Sequence, residues 1–144
     1  MARVLPLTRR QGLAATACLF GLFDRPQEVQ AQNEVFAAAA ARQRDTAVAA
    51  GDQPYGAVIV LDGRIIGIGP SRVITDRNPD AHAERVALWD AQRQTGREDL
   101  SGAVIFATSL PCPICQRALA RARISGMRVG PDGRDQGAPR GALP

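Results

Sequence analysis

Two short segments constrain this fold more than anything else in the chain. They are His82-Ala83-Glu84 and, thirty residues on, Pro111-Cys112-Pro113-Ile114-Cys115. Both read as the first turn of a helix. Asn78-Pro79-Asp80 breaks any helix before His82, and a proline is well tolerated where the second helix opens, near Pro111. Cysteines three apart along a helix place both sulfurs on one side. If one ion takes both sulfurs and the imidazole, two helix N-termini must meet at a point. Such termini carry unpaired N–H groups and partial positive charge, which favour thiolates. Two thiolates and a neutral imidazole balance the +2 charge of zinc and leave a fourth position for water, as in catalytic sites. Glu84 is unsuited as a further ligand and is placed to handle that water's protons. A redox dithiol or half of a structural zinc site are the other readings of Cys-x-x-Cys. No second Cys-x-x-Cys follows and His82 is the only histidine. A closed four-ligand site is therefore short of ligands unless Glu84 or a second chain contributes.

The elements around these segments read in order. Asn33 to Ala50 is Ala-rich and helical, with Val35, Phe36, Ala39, Ala40 and Val48 as a buried stripe. Gly56–Leu61 and Arg64–Gly69 are strands joined at Asp62-Gly63, a strong hairpin signal. A loop covers Pro70–Ala81. His82–Thr95 is a helix stopped at Gly96, with Trp89 packed against an adjoining layer. Ala103–Thr108 is an apolar, central strand. Pro111–Ile124 is a helix, and Met127–Gly130 a short fourth strand. Strands alternating with helices imply an α/β sheet covered on both faces, its later strands parallel.

Composition adds little. Hydrophobic residues are 45% and charged residues 22%, as in a globular domain. All 18 basic residues are Arg, and the net charge is +4. The excess is spread out and reads as surface charge more than as a nucleic-acid footprint.

Residues 1–31 read as a twin-arginine export signal. Arg9-Arg10 precede the apolar run Leu13–Phe23, and Val29-Gln30-Ala31 is the expected cleavage site. The apolar run is too short to span a bilayer stably. A Cys-x-x-Cys pair loaded with zinc before export would be protected from oxidation in the periplasm. The expected mature domain is 32–130, followed by a disordered Gly/Pro-rich tail, 131–144. The expected location is periplasmic, the alternative cytoplasmic.

Three blocks resemble the cytidine and deoxycytidylate deaminase superfamily, in the branch with guanine, cytosine and tRNA adenosine deaminases. They are Pro54-Tyr55-Gly56-Ala57-Val58-Ile59-Val60, Asn78-Pro79-Asp80-Ala81-His82-Ala83-Glu84 and Thr108-Ser109-Leu110-Pro111-Cys112-Pro113-Ile114-Cys115. The resemblance implies a three-layer α/β/α sandwich around a mixed sheet, C-terminally short here. It implies one zinc on His82, Cys112 and Cys115, with Glu84 as the catalytic acid–base. Gly56, Ala57, Ala83 and the backbone at Pro111 would contact substrate. Ser71 stands where many relatives carry an Asn that bonds the base. The implied reaction is hydrolysis of an exocyclic amine on a purine or pyrimidine, and the implied assembly a homodimer. With the export signal, the expected substrate is a free nucleobase or nucleoside, guanine or cytosine type, with no nucleic acid bound and no membrane insertion once the signal is cleaved. The alternatives are a tRNA adenosine deaminase, with Arg117, Arg121 and Arg123 facing phosphates, or a degenerate zinc-binding relative.

Overall fold

The structure is a computed structural model and describes residues 25–141. Arg9-Arg10 and the apolar run to Phe23 lie outside the described residues. The order of elements is α1 (Arg25–Ala49), β1 (Gly56–Leu61), β2 (Arg64–Pro70), α2 (Ala83–Thr95), β3 (Val104–Ala107), α3 (Pro113–Arg121), β4 (Gly126–Val129) and β5 (Arg134–Asp135). The sheet runs β2-β1-β3-β4-β5. β1 is antiparallel to both β2 and β3, while β3 and β4 are parallel. The sheet is mixed, and β3 is its central strand.

Alternation along the strands sorts side chains into two cores. Ala57 and Ile59 of β1, with Ile105 and Ala107 of β3, pack against α2 and α3 residues such as Ala87, Ala91 and Leu119. Val58, Val60 and Phe106 point the other way, onto Phe36, Ala37, Ala39 and Ala40 of α1. Phe36 and Phe106 meet with ring centroids 5.3 Å apart. With α1 on one face and α2 and α3 on the other, the molecule is the expected three-layer α/β/α sandwich.

Glycine sets how closely α2 lies on the sheet. A Cβ on Gly69 would sit 2.0 Å from the Ala83 carbonyl oxygen. Only a residue without a side chain lets the first turn of α2, which carries the His82 motif, rest on β2. The β1–β2 turn has the expected geometry, with Asp62 and Gly63 both at positive φ.

Several expectations are corrected. α1 starts well before Asn33 and runs through Val29-Gln30-Ala31. Pro26 suits a first turn and no breaker follows before Ala49. Val35 and Val48 are exposed, at 62% and 54%, and Ala37 and Ala47 complete the buried stripe instead. The stripe follows the small residues that let α1 approach the sheet. Trp89 is exposed, with the Arg85 guanidinium 5.4 Å above its ring, so the cation covers it rather than a second layer. α3 opens at Pro113, with Cys112 as its N-cap, and ends at Arg121.

The segment 131–141 is ordered, contrary to the disordered tail expected over 131–144. Arg134–Asp135 pairs antiparallel with β4, and Arg128 bridges Asp135 at 2.7 Å. The Met127 N–H donates to the Gly137 carbonyl, and the Arg140 N–H donates to Gln116 Oε1. Gly130, Gly133 and Gly137 adopt positive φ and form the turns. The glycines that read as disorder are corners that bring the chain back to β4. Among the described residues, no helix is long and apolar enough to cross a membrane.

Candidate metal centre and cleft

His82 and Cys112 are both N-caps, each with extended backbone before its helix. The connections β2–α2 and β3–α3 leave the sheet at the same end, so the two caps meet. His82 Nδ1 lies 3.6 Å from Cys112 Sγ and 3.5 Å from Cys115 Sγ. The sulfurs are 3.3 Å apart, too far for a disulfide. The three donor atoms lie within 4.8 Å of one another. In a tetrahedral site with metal–sulfur bonds of about 2.3 Å and metal–nitrogen bonds of about 2.0 Å, nitrogen–sulfur edges are about 3.6 Å. The observed nitrogen–sulfur edges fit, and the sulfur–sulfur edge is somewhat short.

Electrostatics points the same way. Burial pushes the Cys115 thiol well above its ordinary pKa, and the neighbouring Glu84 and Cys112 push it further. Burial also raises the Glu84 carboxyl, offset in part by its own N–H, the Cys115 thiol and His82. Three acidic groups crowd one small space with little positive charge among them. A divalent cation is the species that reconciles such a set, and the donors present fit zinc.

The centre opens into a cleft of about 340 Å³ lined by Gln53, Tyr55, His82, Ala83, Glu84, Ser109, Leu110 and Cys112. That size falls in the range of small-molecule sites. Cys115 is buried behind it.

The structure brings together His82, Glu84, Cys112, Cys115 and Ala83, as expected. It does not bring Gly56, Ala57, Ser71 or Pro111 to the cleft wall. A Cβ on Gly56 would lie 2.2 Å from the Arg44 backbone nitrogen, so this glycine admits α1. Ala57 is fully buried in the core beneath α2. The Pro111 side chain is fully buried, and its carbonyl accepts from Gln116 Nε2 at 2.8 Å. Ser71 is buried and its hydroxyl donates to Asp52 Oδ1 at 2.9 Å.

Gln53, Tyr55, Ser109 and Leu110 had no expected role, although three of them lie inside the recognised blocks. Asp52 carried no signal either. Its carboxylate accepts from the N–H groups of Gln53, Ile74 and Thr75 as well as from Ser71. It ties the loop after β2 to the segment that forms the cleft's rim.

A mixed α/β/α sandwich with a His–Cys–Cys centre and an adjacent glutamate defines a zinc-enzyme architecture. The family model of the cytidine and deoxycytidylate deaminase zinc-binding region matches residues 30–130, and the chain belongs to that family. The guanine deaminase of Bacillus subtilis (strain 168) is 41% identical over 70 residues, which cover 49% of this chain and 45% of that protein. The tRNA-specific adenosine deaminase of Aquifex aeolicus is 36% identical over 91 residues, covering 63% of this chain and 60% of that one. The chain thus spans about half to six tenths of the length of these relatives. The X-ray structure of guanine deaminase from Bacillus subtilis superposes with a TM-score of 0.65 at 36% identity, covering 67% of this chain and 62% of the other. A structure from a study of tRNA:A34 deaminases gives 0.64 at 34% identity, covering 67% and 70%.

Proposed function

We propose that this protein hydrolytically deaminates a free nucleobase or nucleoside, of guanine or cytosine type, releasing ammonia. The observation that carries this reading is the Glu84 carboxyl beside a three-donor centre on the wall of a base-sized cleft. His82 Nδ1 and the two sulfurs would hold zinc. Bound zinc supplies a Lewis acid and lowers the pKa of water from about 16 toward about 7. Glu84 would take one proton from the attacking water and give it to the substrate ring nitrogen, then carry the second, from the new hydroxyl, to the departing amine. Amine and water become carbonyl and ammonia, so atoms balance without a further reactant. Buried Cys115 and the packed first turns of α2 and α3 keep the donors in place.

Zinc-loaded protein offered a panel of bases and nucleosides should release ammonia from at least one. Glu84→Ala should lower that rate by three orders of magnitude or so while zinc stays bound, since general acid–base catalysis supplies about 10²–10⁴-fold. Unchanged turnover in this variant would overturn the role of Glu84.

The tRNA adenosine reading is supported by the relatives of that name. The arginines on α3 and just after it support it less. Arg123 is paired with Asp99 at 3.7 Å, and Arg117 is only partly exposed. Salt-sensitive binding of tRNA, with a slope set by the phosphates contacted, would favour it. Export remains part of the proposal, supported by Arg9-Arg10 and the apolar run after them. Replacing both arginines with lysine should hold the protein in the cytoplasm, read by cell fractionation.

A further inference from the structure

We propose that Gln53, and not Ser71, is the side chain that reads the edge of the base. The inference rests on the functional reading above and assigns its specificity. Six cleft residues carry polar side-chain groups: Gln53, Tyr55, His82, Glu84, Ser109 and Cys112. His82, Glu84 and Cys112 are committed to the metal centre and its protons. Of the rest, Gln53 alone presents a donor and an acceptor in one plane, the arrangement that pairs with a heterocycle edge. Among the described residues, no hydrogen bond engages its amide.

Its backbone is held, in contrast. The Gln53 N–H donates to Asp52 Oδ1 at 2.8 Å, and its carbonyl accepts from the Tyr55 N–H at 2.8 Å. The fixed backbone sets where the amide leaves the chain at the cleft wall, and the amide has no competing partner to give up on binding. Ser71 is the reverse case. Its hydroxyl spends its donor on the same Asp52 oxygen that holds the Gln53 N–H. Asp52 Oδ2 takes the Ile74 and Thr75 N–H groups at 2.9 and 2.8 Å. Turning Ser71 toward the cleft would take from the buried Asp52 Oδ1 one of its two donors, leaving only the Gln53 N–H. Ser71 therefore acts through Asp52, as a positioning residue for the segment that carries Gln53. The ligand class is a flat heterocycle that offers, away from the amine to be hydrolysed, a donor beside an acceptor.

The test uses full-length, zinc-loaded chain with Glu84→Gln to stop turnover. Guanine, cytosine, adenine and their ribonucleosides are titrated calorimetrically, with Gln53 intact or changed to Met. Two lost hydrogen bonds should weaken the tightest-binding compound about tenfold or more. Weak binders should change about twofold or less, so that discrimination shrinks. In active protein the same loss should fall on KM more than on kcat. Gln53→Glu keeps length and acceptor but removes the donor, and should shift preference toward compounds with paired donors. The thermal midpoint should not move, because the amide has no partner to lose. Equal weakening of every compound, or none, would overturn the assignment. Turnover by the parent chain with Gln53 variants unchanged would remove this inference alone. A parent chain that binds no base and releases no ammonia would remove the functional reading with it. Should Gln53→Met fail to fold, Gln53→Glu gives the same comparison.

Discussion

Asp52 shows how much one buried carboxylate can organise. Burial alone would raise its pKa, but the Thr75 and Gln53 N–H groups and the Ser71 hydroxyl outweigh that and hold it well below the usual carboxylate range. A carboxyl depressed in the folded state contributes stability that is complete above its unfolded value of about 3.9. That contribution is lost as pH falls through the unfolded value toward the lower folded one. The denaturation midpoint of the protein should therefore drop steeply below about pH 4, and Asp52→Asn should flatten that drop. At neutral pH Asp52→Asn should cost about 2–3 kcal/mol, because an amide group would face N–H groups that need an acceptor. Urea titration at several pH values checks both. An equal acid response in the two proteins would show that other carboxylates set it.

At the scale of elements, the metal centre depends on two helix starts being pressed onto one sheet end. Gly69 is where that pressure is greatest. Gly69→Ala should cost about 1–3 kcal/mol, the usual penalty for overpacking, and should lower zinc content by displacing the first turn of α2. Chemical denaturation and metal analysis measure the two effects separately; full zinc occupancy in a destabilised variant would show that α2 shifts without its cap. The C-terminal strand makes a second claim of this kind. The Met127 N–H bonds to Gly137 and the Gln136 N–H to Met127. Both amides should be protected in hydrogen exchange, whereas a loose tail would leave Gln136 fast.

For the molecule as a whole, α1 and the pair α2–α3 grip opposite faces of the sheet, but only the second face carries chemistry. Zinc there would join β2–α2 to β3–α3 through three side chains. Its removal by chelation should lower the thermal midpoint, by the equivalent of about 4 kcal/mol if zinc stands near a thousand times its dissociation constant. A midpoint indifferent to chelator would mean that the packing of α2 and α3 holds without the ion. One zinc per chain is the expected stoichiometry, and Cys112→Ala should abolish it.

Much of this was legible along the chain because it is local. Continuous apolar runs marked β1 and β3, Asp62-Gly63 marked the hairpin, Gly96 marked the end of α2, and donor spacing marked His82, Cys112 and Cys115. Each signal lies within a few residues of what it determines. What depended on distant partners was not legible. Whether Gly56 faces substrate or α1, whether Ser71 reaches the cleft or Asp52, and whether the glycines after Val129 release the chain or fold it back are decided by groups far away in sequence. A side chain's chemistry is written in its type, but its direction is settled by whichever buried neighbour most needs it. For Ser71 that neighbour is a carboxylate nineteen residues earlier, bonded at 2.9 Å.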